Sequence, residues 1–301
     1  MADKKEETKK IEEEKQEQQP EKKKPEPEPE EEKPEPKPEV KKSKEEKPMG
    51  SLKASIKAHI LQTTIHALDH LANEALFQVK PQGIKVELVD NAHVAMATME
   101  ISPKAFEEYK ATSLEIGVDL TKFNEILKLA RSDDVVNIEF NCEGKGENCM
   151  YIQVRNIIRR IGCLDCAGMQ KPKVPTLQTN AEATIEAGAL MLGIKAAAQI
   201  TDHLRLTMNK KAMEVYNEMD ADFTKIPYDN SDGGPLLEIN APQKTVAMYS
   251  IDYLTNILKI AKNDTPIRLA ISNDSPIKIN YEFADGNGNL EYLIAPRIES
   301  E

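Results

Sequence analysis

A chain that writes nearly the same eight residues twice must place two copies of one local design in its fold. ILKLARSD occupies 126–133 and ILKIAKND occupies 257–264, 131 positions apart. Each copy closes an amphipathic helical pattern. In the first, Leu120, Phe123, Leu127 and Ala130 fall at helical spacing, with Lys122, Glu125, Lys128 and Arg131 turned away. In the second, Leu254, Ile257, Leu258 and Ala261 form the apolar stripe, with Lys259 and Lys262 opposite. A strand-like run comes after each copy, VVNIEF at 135–140 and IRLAI at 267–271.

The halves keep matching upstream. A helix is expected near 60–73, with Leu61, Ile65, Leu68 and Ala72 on one stripe. Its counterpart near 189–200 uses Leu190, Ile194, Ala197 and Ile200. Between the helices lie short alternating strands: 84–89, 94–101 and 114–118 in half one, 204–208, 213–219 and 235–239 in half two. Two copies at a period near 130 make a duplicated domain, not a solenoid. QKPKVPTLQTN at 170–180 is rich in Pro and Lys, has no period, and reads as a connector. The expected fold class is therefore α+β, rich in antiparallel strands. Two topologically similar domains, 51–165 and 181–301, flank a connector at 166–180. Open strand edges of such units are a route to oligomers.

The first 50 residues obey a different rule. They hold 14 Lys, 17 Asp and Glu and 8 of the 18 Pro, with no aromatic residue. So few apolar groups cannot offset the entropy of ordering, and a disordered or extended tail is expected. It lacks the apolar central run of a signal peptide. Met49-Gly50 reads as an alternative start or a junction. The whole chain has a net charge of −11, which argues against whole-surface nucleic-acid binding but leaves room for a local basic lining. No apolar run approaches the roughly 20 residues of a membrane span. Four Cys without a secretory signal fit a reducing compartment.

Four stretches carry a family resemblance: VDNAHVAM (89–96), IGVDLTKFNEILK (116–128), the connector, and the terminal EYLIAPRIESE (291–301). Through them the body, from about residue 52 onward, resembles the sliding DNA clamps of the proliferating cell nuclear antigen family, especially archaeal members. The resemblance implies a DNA clamp fold and a homotrimeric ring. Helices line the channel and antiparallel sheets form a continuous outer shell. It implies encirclement of double-stranded DNA without sequence specificity. It further implies a processivity factor that tethers DNA polymerase and other replication and repair enzymes through short clamp-binding peptides. An ATP-dependent clamp loader would open the ring. No catalytic residue, cofactor or membrane partner is implied. The matching location is the cytoplasm with the chromosome, or the nucleus for a eukaryotic source.

The residues agree with a mildly cationic bore. Lys122, Lys128, Arg131, Lys195, Lys259 and Lys262 are the candidate DNA contacts. Such groups attract phosphates in a sequence-independent, salt-sensitive way. No aromatic platform or base-reading element stands among them. Their plainer reading is a solvated helix face. The first helix of half one departs from the family, offering Gln62, Thr63, His66, Asp69 and His70 in place of lysines. That implies a weaker phosphate contact there, or a pH-sensitive one. His66 and His70 with Asp69 also have the spacing of a metal pair, against which exposed polar residues are the plainer account.

The resemblance also implies a partner groove. Carried over motif by motif, its residues are His93, Val94 and Met96 in the loop, Val174 and Pro175 in the connector, Pro276 in SPIKI, and Leu293, Ala295, Pro296 and Ile298 near the end. An apolar patch on an acidic surface suits a partner site, and aromatic anchors supply most of such an affinity. The connector is more basic than the family's, and its register is open by a residue or two.

Cys142, Cys149, Cys163 and Cys166 form C-x6-C-x13-C-x2-C, whose second half has zinc spacing. CEGKGENC reads as a hairpin, and a turn at Arg155-Asn156 would return Cys163 beside Cys149. A zinc site, a disulfide and free buried thiols are the alternatives. DGNGN (285–289) and DNSDGG (229–234) lack the length and terminal Glu of a calcium loop and read as hairpin turns. No GxxxxGK[ST], GxSxG or HExxH occurs. Behind the clamp reading stand a checkpoint-type or heterotrimeric clamp subunit and a metal-stabilised regulatory scaffold.

Overall fold

The computed structural model describes residues 50–141, 148–169 and 171–298. The tail and Cys142 lie outside the described residues. Half one runs β1 (Ser51–Lys57), α1 (Ala58–Asp69), β2 (Glu74–Lys80), β3 (Gly83–Val89), β4 (Ala95–Ile101), β5 (Glu108–Ala111), β6 (Leu114–Asp119), α2 (Leu120–Leu127), β7 (Val135–Asn141), β8 (Cys149–Val154) and β9 (Ile157–Gly162). Half two repeats this order. It runs β10 (Ala181–Glu186), α3 (Ala187–Ala197), β11 (His203–Met208), β12 (Ala212–Met219), β13 (Asp222–Asp229), β14 (Leu236–Asn240), β15 (Thr245–Ser250), α4 (Ile251–Leu258), β16 (Pro266–Ile271), β17 (Ile277–Phe283) and β18 (Gly288–Ile294).

The repeated octapeptide is mostly not helix. Both helices stop at its second residue, Leu127 and Leu258. The rest of each copy leads into a cap for the other helix of the same half. Ala58 N donates to Asp134 O (2.8 Å) and His59 N to Ser132 O (3.2 Å). In half two, Ala187 N donates to Thr265 O and Gly188 N to Asn263 O, both at 2.9 Å. Neither α1 nor α3 has a side-chain N-cap. Their first N–H groups would otherwise be orphaned, at about 1–3 kcal/mol for each one buried. The capping is mutual: Leu120 N donates to Asn73 O (2.8 Å) and Ile251 N to Asp202 O (2.9 Å). Hence α1 ends at Asp69, short of the expected Asn73, and α3 ends at Ala197. The chain must leave the helix axis to reach the partner helix's start.

All strand pairings named here are antiparallel. One five-stranded sheet has the order β5-β1-β7-β8-β9, and a four-stranded sheet has β13-β12-β11-β15. The remaining strands make one nine-stranded sheet, β14-β10-β16-β17-β18-β4-β3-β2-β6. It consists of the half-two counterpart of the first sheet and the half-one counterpart of the second, joined where β18 pairs β4 from Gly288↔Ile101 to Ile294↔Ala95. The two halves are thus not separate sheet systems, as the duplication alone suggests; they share a sheet.

Period-two burial, as in β3 and β11, turns one face of each strand to the core. The helix stripes expected from spacing are buried there, including Ile65, Leu68, Leu120, Phe123 and Leu127 in half one. In half two Leu190, Ile194, Leu254 and Ile257 do the same. Each fully buried Leu or Ile contributes about 1.5–3 kcal/mol. DNSDGG is not a hairpin: it links β13 to β14, which belong to different sheets. DGNGN does sit in the β17–β18 hairpin, where Ala284, Asp285 and Gly286 take positive φ.

Candidate DNA-lining helices and partner groove

Within half one, α1 is fastened to α2 by polar side chains. Gln62 Nε2 donates to Leu127 O (2.9 Å) and Ala130 O (3.0 Å). Asp69 accepts from Asn124 Nδ2 (2.8 Å) and Thr121 Oγ1 (3.2 Å). Two groups that the sequence offers to a duplex therefore hold the helix pair together instead. His66 and His70 touch edge to face, their Nε2 atoms 3.2 Å apart. Burial, then the charges of His66 and of Lys259 at the end of α4, hold the His70 pKa below its usual 6.5.

Lys122, Lys128, Arg131, Lys195, Lys259 and Lys262 are all exposed. Lys122 is paired with Asp119 at 2.7 Å. Lys128 and Arg131 lie past the last residue of α2, and Arg131 N donates to Asp134 Oδ2 (2.7 Å). On α3, Lys195 shares the exposed side with Leu192, which is 71% exposed.

The carried-over groove residues divide. His93, Val94, Pro276, Ala295 and Pro296 converge. Ala295 N donates to Val94 O (2.8 Å), and the Ile277↔Ile294 pairing sets Pro276 beside Ala295. Met96 and Leu293 sit opposite each other in the β18–β4 joint but are buried, so they offer a partner little surface. Ile298 is 79% exposed. Val174 and Pro175 are exposed, in a stretch of connector between two anchors. The first anchor is Leu164 N donating to Gly117 O (2.8 Å). The second is Ser272 Oγ donating to Gln178 O (2.9 Å) and Asn180 N to Ile271 O (3.0 Å). No hydrogen bond among the described residues ties Val174 or Pro175 to the cluster.

Several residues that position the groove escape a reading of the sequence. The loop before β4 is closed by Asp90, whose Oδ1 accepts from Val94 N and Ala95 N, each at 2.8 Å. His93, at φ 55°, donates its backbone N–H to Asp90 O (3.0 Å). Asp opening a polar turn is a legible Asx signal. Its remote partner, Tyr253, carries no such signal: Tyr253 Oη donates to Asp90 Oδ2 at 2.6 Å. Burial, then that carboxylate, push the Tyr253 pKa up to about 12. Arg297 holds the end of the chain. Its N donates to Met248 O (2.7 Å) and its Nη1 lies 2.6 Å from Asp202 Oδ2. Arg297, then His203 at 2.8 Å, pull the Asp202 pKa down to about 2.

The cysteine hairpin geometry is partly as expected. β7 pairs β8, Cys149 stands opposite Gly162, and Cys163 N donates to Asn148 O (2.8 Å). No disulfide joins Cys149, Cys163 and Cys166 to one another. Among the described residues no three His, Cys, Asp or Glu side chains gather as a metal site, so the His66–Asp69–His70 set is not brought together as one. No helix among them is long and apolar enough to cross a membrane.

Comparison with known proteins decides the family. Residues 52–160 match the family described as proliferating cell nuclear antigen, N-terminal domain. The DNA polymerase sliding clamp of Methanococcoides burtonii is 36% identical over 250 residues, 83% of this chain and 99% of that protein. The chain belongs to the DNA polymerase sliding clamp family. The clamp of Methanosarcina mazei is 34% identical over the same length, with the same coverage. Among solved structures, A. fulgidus PCNA bound to the C-terminal region of FEN-1 is similar at a TM-score of 0.77 and 25% identity, covering 83% of this chain and all of that one. PCNA from Thermococcus kodakaraensis is similar at 0.75 and 25%, covering 82% and 100%. Both carry the DNA clamp fold. The chain's function is that of a sliding clamp, a processivity factor for DNA polymerase.

Proposed function

We propose that residues 51–165 and 181–301 act as two clamp domains joined by the 166–180 connector, and that three copies close into a homotrimeric ring around duplex DNA. One observation supports the closure. Within the chain, β18 pairs β4; β9 and β13 are the counterparts of those two strands, and each ends its sheet unpaired among the described residues. Transferring the β18–β4 register sets Ile157 opposite Ile226, Ile158 opposite Lys225 and Arg160 opposite Phe223 on the next copy. Those open edges carry bare apolar groups: Ile158 is 68% exposed, Phe223 64% and Ile157 40%. An unpaired strand with such side chains is a template for another strand. Both complementary edges lie on one chain, as head-to-tail ring closure of identical copies requires. The count of three rests on the resemblance.

In that ring Lys122, Lys128, Arg131, Lys195, Lys259 and Lys262 would meet phosphates loosely, with retention by topology rather than grip. The His93–Val94 loop, Pro276, Ala295, Pro296 and Ile298, with the connector at Val174 and Pro175, would receive short peptides of the polymerase and of FEN-1-like enzymes. The A. fulgidus relative holding a FEN-1 terminus supports this. The chain would act as a scaffold without a catalytic step, opened by an ATP-dependent loader, in the compartment that holds the chromosome. The test pairs native mass with polymerase stimulation. Wild type should be a trimer that stimulates a family polymerase. Ala295→Asp with Pro296→Asp should stay trimeric and lose stimulation; retained stimulation would refute the groove.

A further inference from the structure

We infer that Asp90 and Tyr253 are positioning residues for the partner groove, joining its loop to helix α4 across the boundary between the halves. This rests on the groove proposed above. Asp90 is 7% exposed, and each of its carboxylate oxygens is used. Oδ1 accepts the N–H groups of Val94 and Ala95, which fixes the turn that displays His93 and Val94. Oδ2 accepts the Tyr253 hydroxyl at 2.6 Å from a residue 163 positions away. A carboxylate so placed needs every acceptor site matched, because a buried charge with an idle oxygen is costly.

Beyond the β3–β4 ladder at its base, the tip of the loop has little else to hold it. Asn91, Ala92 and His93 are exposed. Behind them lies a cavity of about 400 Å³ lined by His70, Leu71, Asn91, Ala92, Asn256 and Tyr253 among others. With that space beside its tip, packing holds the turn through Val94, which rests on the core, and not through Asn91 and Ala92. Besides the β3–β4 ladder, which Asp90 N closes by donating to Ala95 O (3.0 Å), its attachments to the rest of the fold are the Ala295 N to Val94 O bond and the Asp90–Tyr253 bond. Tyr253 stands in the first turn of α4, the helix whose C-cap is Lys259, one of the candidate phosphate contacts. A single charge-assisted hydrogen bond thus ties the groove loop to a helix of the candidate bore.

The probe is a fluorescent synthetic peptide copying the C-terminal region of FEN-1, titrated into the full chain and followed by anisotropy. Tyr253→Phe removes one hydroxyl and leaves the ring in place. It should weaken peptide binding about threefold to tenfold, with native mass unchanged and the melting temperature lowered by no more than a few degrees. Hydrogen exchange at the Val94 and Ala95 amides should quicken in the same variant. Tyr228→Phe is the control: its hydroxyl bonds Ala189 O far from the loop, so peptide affinity should not move. Asp90→Asn keeps an acceptor for the two amides. In that background Tyr253→Phe should cost less than in wild type, the non-additivity of a direct pair. Wild type that binds the peptide while Tyr253→Phe binds it equally well overturns the inference. Wild type that fails to bind the peptide overturns the groove itself.

Discussion

Replacing Ile158 by Lys should break the ring, and the size of the break can be worked from the edge geometry. Ile158 is 68% exposed in the single chain. If the β9–β13 joint forms, most of that surface is buried, and losing it costs about 1–2 kcal/mol. The transferred register sets position 158 opposite Lys225, so a lysine there also adds a directly opposed like charge, worth up to about 1 kcal/mol. The sum is about 1–3 kcal/mol per joint, a roughly 5-fold to 150-fold weaker association. Sedimentation over a concentration series reads this as a shift of the trimer-to-monomer midpoint. A second change tests the register itself: Lys225→Glu in the Ile158→Lys chain should recover about tenfold. Lys225 now pairs with Glu214 at 3.0 Å, but that pair is exposed and its loss does not mask the gain. An Ile158→Lys chain with wild-type mass at every concentration refutes the joint. A weakened chain that Lys225→Glu leaves unrecovered refutes the register.

A Cβ on Gly117 would lie 2.8 Å from Leu164 O, so Gly117→Ala should detach the start of the connector, lower stability by about 1–3 kcal/mol and weaken peptide binding, as read by urea melts and anisotropy. The Asp202 carboxyl is held down at about 2, so the Arg297 tether is present above the ordinary carboxylate value of 3.8 and is lost only as pH falls through about 2; NMR of the 295–298 amides should show the end of the chain fixed at pH 4 and loosened toward pH 2. His70 is depressed below 6.5 and therefore neutral near pH 7.5, so acidification through its lowered pKa adds positive charge beside Lys259 and should strengthen DNA association at low salt, a gain that His70→Gln should abolish. The same depression means that folding stability falls as pH drops below 6.5, which thermal melts of the His70→Gln chain would report as a smaller loss.

How far the sequence carries depends on which residues do the work. The duplicated helices and the alternating strands are legible because burial imposes a period, and Leu120, Phe123 and Leu127 must face inward whatever else happens. Helix ends are not, because backbone carbonyls of Asn73 and Asp202 cap the opposite helix, and a carbonyl leaves no mark on residue identity. Nor does β13 announce itself as a strand: Pro227 and broad exposure along its length disguise it, which is the usual appearance of an edge strand. The joint of β18 to β4 is equally silent, since strand pairing across 190 or so positions has no local signature. In the groove, Ala295, Pro296 and His93 are found through motif resemblance. Tyr253 looks like one more residue on an amphipathic helix, because its partner Asp90 lies in the other half. Val174 and Pro175 stay unattached for the opposite reason: the connector has no period and few anchors to fix its middle.

The central claim is a closed ring held on duplex DNA by its topology. The direct measurement loads the chain onto a nicked circular plasmid with an ATP-dependent loader, washes at high salt, and then linearises the DNA. The account predicts retention through the wash and prompt release once an end is cut. Equal loss from circular and linear DNA, or failure to remain on either, would contradict it.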